Sequence, residues 1–95
     1  MTTYRLIFLP SAQKEFDKLD SSIRAQFVNK LRERLGHPHI PAARLHGLAN
    51  CYKIKLRAAG YRLVYQVDDQ IVTVIVVAVG RRDRNLVYKI AIGRV

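Results

Sequence analysis

Residues 52–67 read Tyr52-Lys53-Ile54-Lys55-Leu56-Arg57-Ala58-Ala59-Gly60-Tyr61-Arg62-Leu63-Val64-Tyr65-Gln66-Val67, and the alternation inside this stretch decides the fold. Tyr52, Ile54 and Leu56 alternate with Lys53, Lys55 and Arg57, the period of two that places one set on each face of a strand. A tight turn through Arg57–Gly60 sets Leu56 opposite Tyr61, Ile54 opposite Leu63 and Tyr52 opposite Tyr65, so one face of the hairpin is apolar throughout. The same register sets Lys55 opposite Arg62 on the other face, flanked by Lys53 and Arg57. No Asp or Glu lies between Arg44 and Val67, so these cations have no counter-charge in the neighbouring sequence. Such crowding costs stability unless a partner supplies the anion.

Downstream, Asp68-Asp69-Gln70 is a turn and Ile71 to Val79 reads as a central strand, apolar on both faces and closed by Gly80. Arg81-Arg82-Asp83-Arg84 follows. Leu86, Val87 and Ile90 fit a short last helix capped by Asp83, while Leu86, Tyr88, Ile90 and Ile92 alternate as a strand would, and the sequence leaves both readings open. Upstream, Tyr4 to Phe8 is a short run of strand formers ended by Pro10. Pro suits a first helical turn, and Ala12, Phe16 and Leu19 recur on one helical face. Asp20-Ser21-Ser22 offers a cap for a longer helix striped by Ile23, Phe27, Leu31 and Leu35, with Val28 beside it. Gly36 stands where a left-handed residue ends a helix, and Pro38 follows. His37 to Asn50 is an irregular connection. The expected fold is α+β: a small, twisted, mainly antiparallel sheet of about four strands, covered by an N-terminal helical hairpin, with a short C-terminal helix.

The chain of 95 residues allows one domain, 1–95, with a modest core. With 49% apolar residues it is not a disordered basic tail. Ile71 to Val79 is the longest apolar stretch, far short of the roughly 20 residues that span a bilayer as a helix. Met1 to Pro10 lacks the pattern of a secretory signal, so the cytoplasm is the expected compartment and no membrane role is anticipated. Cys51 is the sole cysteine, which excludes an internal disulfide and a thiolate-rich zinc site.

The net charge of +10 is unevenly placed. Residues 1–43 hold seven Lys/Arg and four acids, whereas residues 44–95 hold ten Lys/Arg and three acids, a net of +3 against +7. An anionic partner should therefore meet the second half, and phosphate is the commonest biological polyanion. On a bland reading, Lys53, Lys55, Arg57 and Arg62 are only the solvated side of a half-covered sheet. The second cluster, Arg81, Arg82 and Arg84, with Tyr88 beyond it, argues for more, because an aromatic ring among cations suits an unpaired RNA strand. A face this narrow engages about 3–5 phosphates, too few for tight binding at cellular salt. Efficient action on RNA would require something larger to position the strand.

Three other features favour packing over chemistry. His37, His39 and His46 lie in or near one loop with no accompanying carboxylate in the sequence, a poor ligand set for a metal. Cys51 borders the cationic face without a triad-like partner and reads as a small packing residue. Tyr52, Tyr61 and Tyr65 read as core.

The segments Leu45-His46-Gly47-Leu48-Ala49-Asn50-Cys51-Tyr52-Lys53-Ile54-Lys55-Leu56, Gly60-Tyr61-Arg62-Leu63-Val64-Tyr65-Gln66-Val67 and Val79-Gly80-Arg81-Arg82-Asp83-Arg84, with Tyr88, resemble the RelE toxins of bacterial type II toxin–antitoxin systems. The resemblance spans essentially the whole chain and is strongest from Leu45 to Tyr88. It implies a metal-independent, cofactor-free endoribonuclease that cuts mRNA in the A site of the 70S ribosome. It also implies neutralisation by a cognate RelB-like antitoxin, in a heterotetramer that represses its own operon. The implied catalytic residues fall on Lys53, Lys55, Arg62, Arg82 and Tyr88, with Arg44, Arg57, Arg81 and Arg84 as RNA-binding neighbours. Cleavage without water or metal needs a base for the 2′-hydroxyl, stabilisation of the phosphate and a donor to the 5′-oxygen. Lys53 and Lys55 jointly take the base role, Arg62 holds the phosphate, Arg82 stabilises the leaving side and Tyr88 stacks on or orients a base. An antitoxin would wrap the sheet or displace the last helix. The competing functions are a non-catalytic RNA- or ribosome-binding module and, on the shared fold, a ParE-like poison of DNA gyrase, for which the basic set would be unnecessary.

Overall fold

The computed structural model describes residues 3–83 and 86–95. Strand β1 is Arg5–Phe8, helix α1 is Pro10–Asp17 and helix α2 is Ser21–Gly36. A 3-10 turn at Pro41–Ala43 precedes β2 (Cys51–Leu56), β3 (Tyr61–Asp68), β4 (Thr73–Arg81) and helix α3 (Leu86–Arg94). The sheet order is β1-β4-β3-β2; β1 runs parallel to β4, and the other pairings are antiparallel. No helix among the described residues is long and apolar enough to cross a membrane.

The hairpin register matches the alternation residue for residue: Leu56 faces Tyr61, Lys55 faces Arg62, Ile54 faces Leu63 and Tyr52 faces Tyr65. Gly60 closes the turn at φ +74°, a conformation that carries little penalty only without a Cβ, and its N–H donates to the Leu56 carbonyl at 2.8 Å. Tyr52, Ile54, Leu56, Leu63, Tyr65 and Val67 meet Val74, Val76 and Val79 of β4 and the hairpin residues Ala12, Phe16, Leu19, Phe27 and Leu31 in the main core. Ile23, Val28 and Leu35 pack at its margin, half-buried, and so does Tyr61, which is less enclosed than Tyr52 and Tyr65.

Three expectations are corrected. The central strand starts at Thr73 rather than Ile71 and runs through Gly80 to Arg81. Asp68 Oδ1 accepts the N–H groups of Gln70 and Ile71, drawing both into the turn, so Val72 takes φ +51° and Ile71 is 50% exposed. Gly36 is not left-handed; it belongs to α2, whose C-cap is His37. The Leu35 carbonyl at the end of α2 accepts the N–H of Tyr4 at 2.9 Å, which ties the helix end to the chain entering β1. Asp20 does occupy the N-cap of α2, but through its backbone carbonyl rather than its carboxylate. The proposed cap of α3 by Asp83 involves residues 84 and 85, which lie outside the described residues.

A bulge separates Val64↔Ala78 from Tyr65↔Val76, leaving Val77 as an extra residue in β4. Val77 and Ala78 therefore both reach the second core, with Cys51, Val64, Val87 and Ala91. Val87 and Ala91 are four apart, one face of a helix, and this settles the open choice for 86–92 in favour of α3 lying on the face opposite the hairpin.

Candidate active site

Lys53 and Lys55 project from β2, and Arg62 from β3, on the face that α3 partly roofs. Arg62 is the pivot: its guanidinium donates to the Tyr88 hydroxyl at 2.8 Å and stands 5.7 Å from the centre of the Tyr88 ring. The Lys55 ammonium pKa is pulled below its ordinary value, first by the charge of Lys53, then by Arg62, partial desolvation and Arg57. The strand period thus places beside Lys55 the cations that lower its pKa. Among the described residues the only ion pairs join His39 to Asp69 and Arg94 to Glu15, so no carboxylate neutralises Lys53, Lys55, Arg62 or Arg82.

Arg82 follows β4 directly; its N–H donates to the Gly60 carbonyl at 3.0 Å, which fixes the arginine to the hairpin turn. Its Nε lies 3.7 Å from where a Cβ at Gly60 would stand. Arg57 joins Lys53 and Lys55 along a cleft of about 310 Å³ with Arg34, Ile40, Ala42 and Ala43. Two of the expected RNA contacts stand apart. Arg81 faces Tyr61 in register and lies 5.6 Å over its ring, on the hairpin side of the sheet. Arg44 pairs with Tyr52, three residues along β2 from Lys55, about 10 Å at the usual rise. Arg84 lies outside the described residues.

Arg34 was not legible as a site residue, because on sequence it is one cation among several on an amphipathic helix. Its NH1 donates to the Tyr65 hydroxyl at 2.9 Å, and the same hydroxyl donates to the Pro38 carbonyl at 2.7 Å. Arg34 NH1 also lies 3.4 Å from the Lys53 carbonyl, so the end of α2 links Pro38, β3 and the Lys53 strand. Burial raises the Tyr65 pKa, so the hydroxyl stays a donor. Cys51 is fully buried with its thiol pKa raised by desolvation, the profile of a packing residue rather than a nucleophile. His39 does meet a carboxylate, contrary to expectation: Asp69, 30 positions away, lies 3.1 Å from its Nε2 and also accepts the Tyr4 hydroxyl at 2.6 Å.

Lys55 with its lowered pKa, Arg62 and the Tyr88 ring share this face, and Arg82 is bonded through its backbone to the adjacent hairpin turn; these are the kinds of group that in-line attack of a 2′-hydroxyl on a phosphodiester calls for. The family model described as the ParE toxin of the type II toxin–antitoxin system parDE matches residues 6–86. The mRNA interferase toxin RelE of Escherichia coli K12 is 51% identical over 92 residues, 97% of each chain. The structure of an E. coli RelE double mutant in the free state superposes with a TM-score of 0.91 at 48% identity, covering 98% of each chain. RelE in the intact E. coli RelBE toxin–antitoxin complex gives 0.82 at 52% identity, over 85% of this chain and 99% of that one. With a matching family model over most of its length and a full-length relative at this identity, the chain belongs to the RelE/ParE family of type II toxins, as a RelE-type member.

Proposed function

We propose that the protein is a ribosome-dependent endoribonuclease that cleaves mRNA in the A site without a metal ion, acts in the cytoplasm and is held inactive by its own RelB-like antitoxin. The observation that carries the reading is the Lys55 ammonium, its pKa lowered by Lys53 and Arg62 beside an arginine already oriented by Tyr88. A free lysine is neutral in roughly one molecule in 2,500 at pH 7, so this downward shift enlarges the fraction able to accept a proton. Lys55 takes the proton of the 2′-hydroxyl, with Lys53 setting its pKa. Arg62 binds the non-bridging oxygens, where its fork matches the phosphate. Arg82 stabilises the leaving 5′-oxygen, and Tyr88 orients Arg62 and offers its ring to a base. The oxygen of the attacking hydroxyl bonds to phosphorus as the bond to the 5′-oxygen breaks, leaving a 2′,3′-cyclic phosphate, and the departing 5′-oxygen takes a proton from water to become a 5′-hydroxyl.

The cationic face is small and open, which supports dependence on the ribosome to hold the strand. A gyrase poison would have no use for the Lys53, Lys55, Arg62 and Arg82 set. Purified protein is incubated with a defined mRNA, alone and on ribosomes with an empty A site, in the presence of chelator, and the ends are mapped. A 2′,3′-cyclic phosphate formed only with ribosomes is the expected result. Salt-sensitive binding with no new ends would instead identify a binding module.

A further inference from the structure

Beyond Val76, β4 loses its neighbour on the β1 side. Leu9 donates to the Val76 carbonyl at 3.0 Å, and Pro10, without an N–H, turns the chain into α1. The next groups on that edge are filled by side chains. Val79 N–H donates to Glu15 Oε1 at 3.1 Å, and the Val77 carbonyl accepts Arg94 NH1 at 2.9 Å. The two side chains also join each other in a bidentate pair, NH1 to Oε1 at 2.8 Å and NH2 to Oε2 at 3.1 Å. One node thus links α1, the bulged part of β4 and the last turn of α3.

The node adds a polar anchor at the C-terminal end of α3, whose apolar contact is modest, with Tyr88 and Ile90 only half-buried against the second core. The fully buried side chains of α3 are the small residues Val87 and Ala91, while Leu86 and Ile92 are more than half exposed, at 55% and 59%. Isolated surface ion pairs contribute little, but this one is bidentate and anchored to two backbone groups. Tyr88 precedes Arg94 by six residues, about 9 Å along a helix, so fixing the helix end fixes the height and rotation of the Tyr88 ring over Arg62.

We propose that Glu15 and Arg94 are positioning residues of the nuclease: their clamp on β4 holds α3 across the basic face and sets the Tyr88–Arg62 contact. The inference rests on the reading of the site as a nuclease, and its test separates the two. Arg94→Gln and, as a milder variant, Glu15→Gln, which keeps an oxygen for Val79 N–H, are compared with the wild-type full chain by thermal melting, hydrogen exchange of residues 86–92 and single-turnover cleavage on ribosomes. Faster exchange confined to 86–92 and a loss of cleavage of about tenfold or more are expected, since small misplacements of a catalytic group cost this much. In a Tyr88→Ala background the Arg94→Gln substitution should change cleavage by less than about twofold, because its effect travels through Tyr88. Unchanged exchange in both variants overturns the inference, as does wild-type cleavage, or an equal loss with and without Tyr88, the mark of a merely structural role. If the wild type itself fails to cut ribosome-bound mRNA, the nuclease reading fails, while the exchange measurement still decides whether the clamp holds α3.

Discussion

Arg62 is held by Tyr88 in two ways at once, through a 2.8 Å hydrogen bond to the hydroxyl and by standing over the ring. A strand residue whose neighbours are cations thus obtains its orientation from a helix on another part of the chain. Tyr88→Phe keeps the ring and loses the acceptor, and should lower ribosome-dependent cleavage by about tenfold, the worth of one hydrogen bond to a charged donor. Tyr88→Ala removes both and should cost more. Equal activity of Tyr88→Phe and wild type in a single-turnover assay would show that the ring alone suffices.

Lys55 titrates below its ordinary value mainly because of Lys53. A lowered lysine pKa means the folded state binds the proton less well than the unfolded chain does, so this repulsion destabilises the fold at neutral pH and is relieved as pH rises through the folded pKa. Lys53→Gln should therefore raise the Lys55 pKa toward the usual 10.5. NMR titration of the lysine side chain in the isolated protein measures this directly; an unmoved pKa would remove Lys53 from the role of tuning the base.

Asp69 has its carboxyl pKa lowered, chiefly by the hydroxyl of Tyr4 and then by His39, against a desolvation effect of opposite sign. A depressed carboxyl contributes stability above its unfolded pKa near 3.8 and loses it as pH falls through the folded value. Asp69→Asn should therefore melt below wild type at neutral pH and approach it in strong acid. Parallel melting curves across that range would contradict the linkage.

Tyr65→Phe deletes the hydroxyl that links Arg34 to the Pro38 carbonyl. Leaving these groups unpaired in a largely enclosed position should cost about 1–3 kcal/mol in urea unfolding. Cleavage should fall as well if Arg34 steadies the Lys53 strand. A loss below about 0.5 kcal/mol would indicate that water replaces the hydroxyl.

The period of two between Tyr52 and Val67, broken by a turn ending in Gly60, sufficed to set the hairpin register and to gather Lys53, Lys55 and Arg62, because both properties are local to paired strands. The helical stripe of Phe27 and Leu31 was equally local. Other features depend on residues far apart in sequence: Arg94 meets Glu15 across 79 positions, and Tyr88 reaches Arg62 across 26. The parallel pairing of β1 and the bulge at Val77 are of the same kind, since each records how β4 is packed on both sides rather than any pattern in its own residues. Sequence alone determined which cations share a face. Tertiary structure decided that a helix roofs that face, that Arg81 leaves it for the Tyr61 ring, and that Arg34 joins its edge, because these placements follow from packing between elements rather than from periodicity within one.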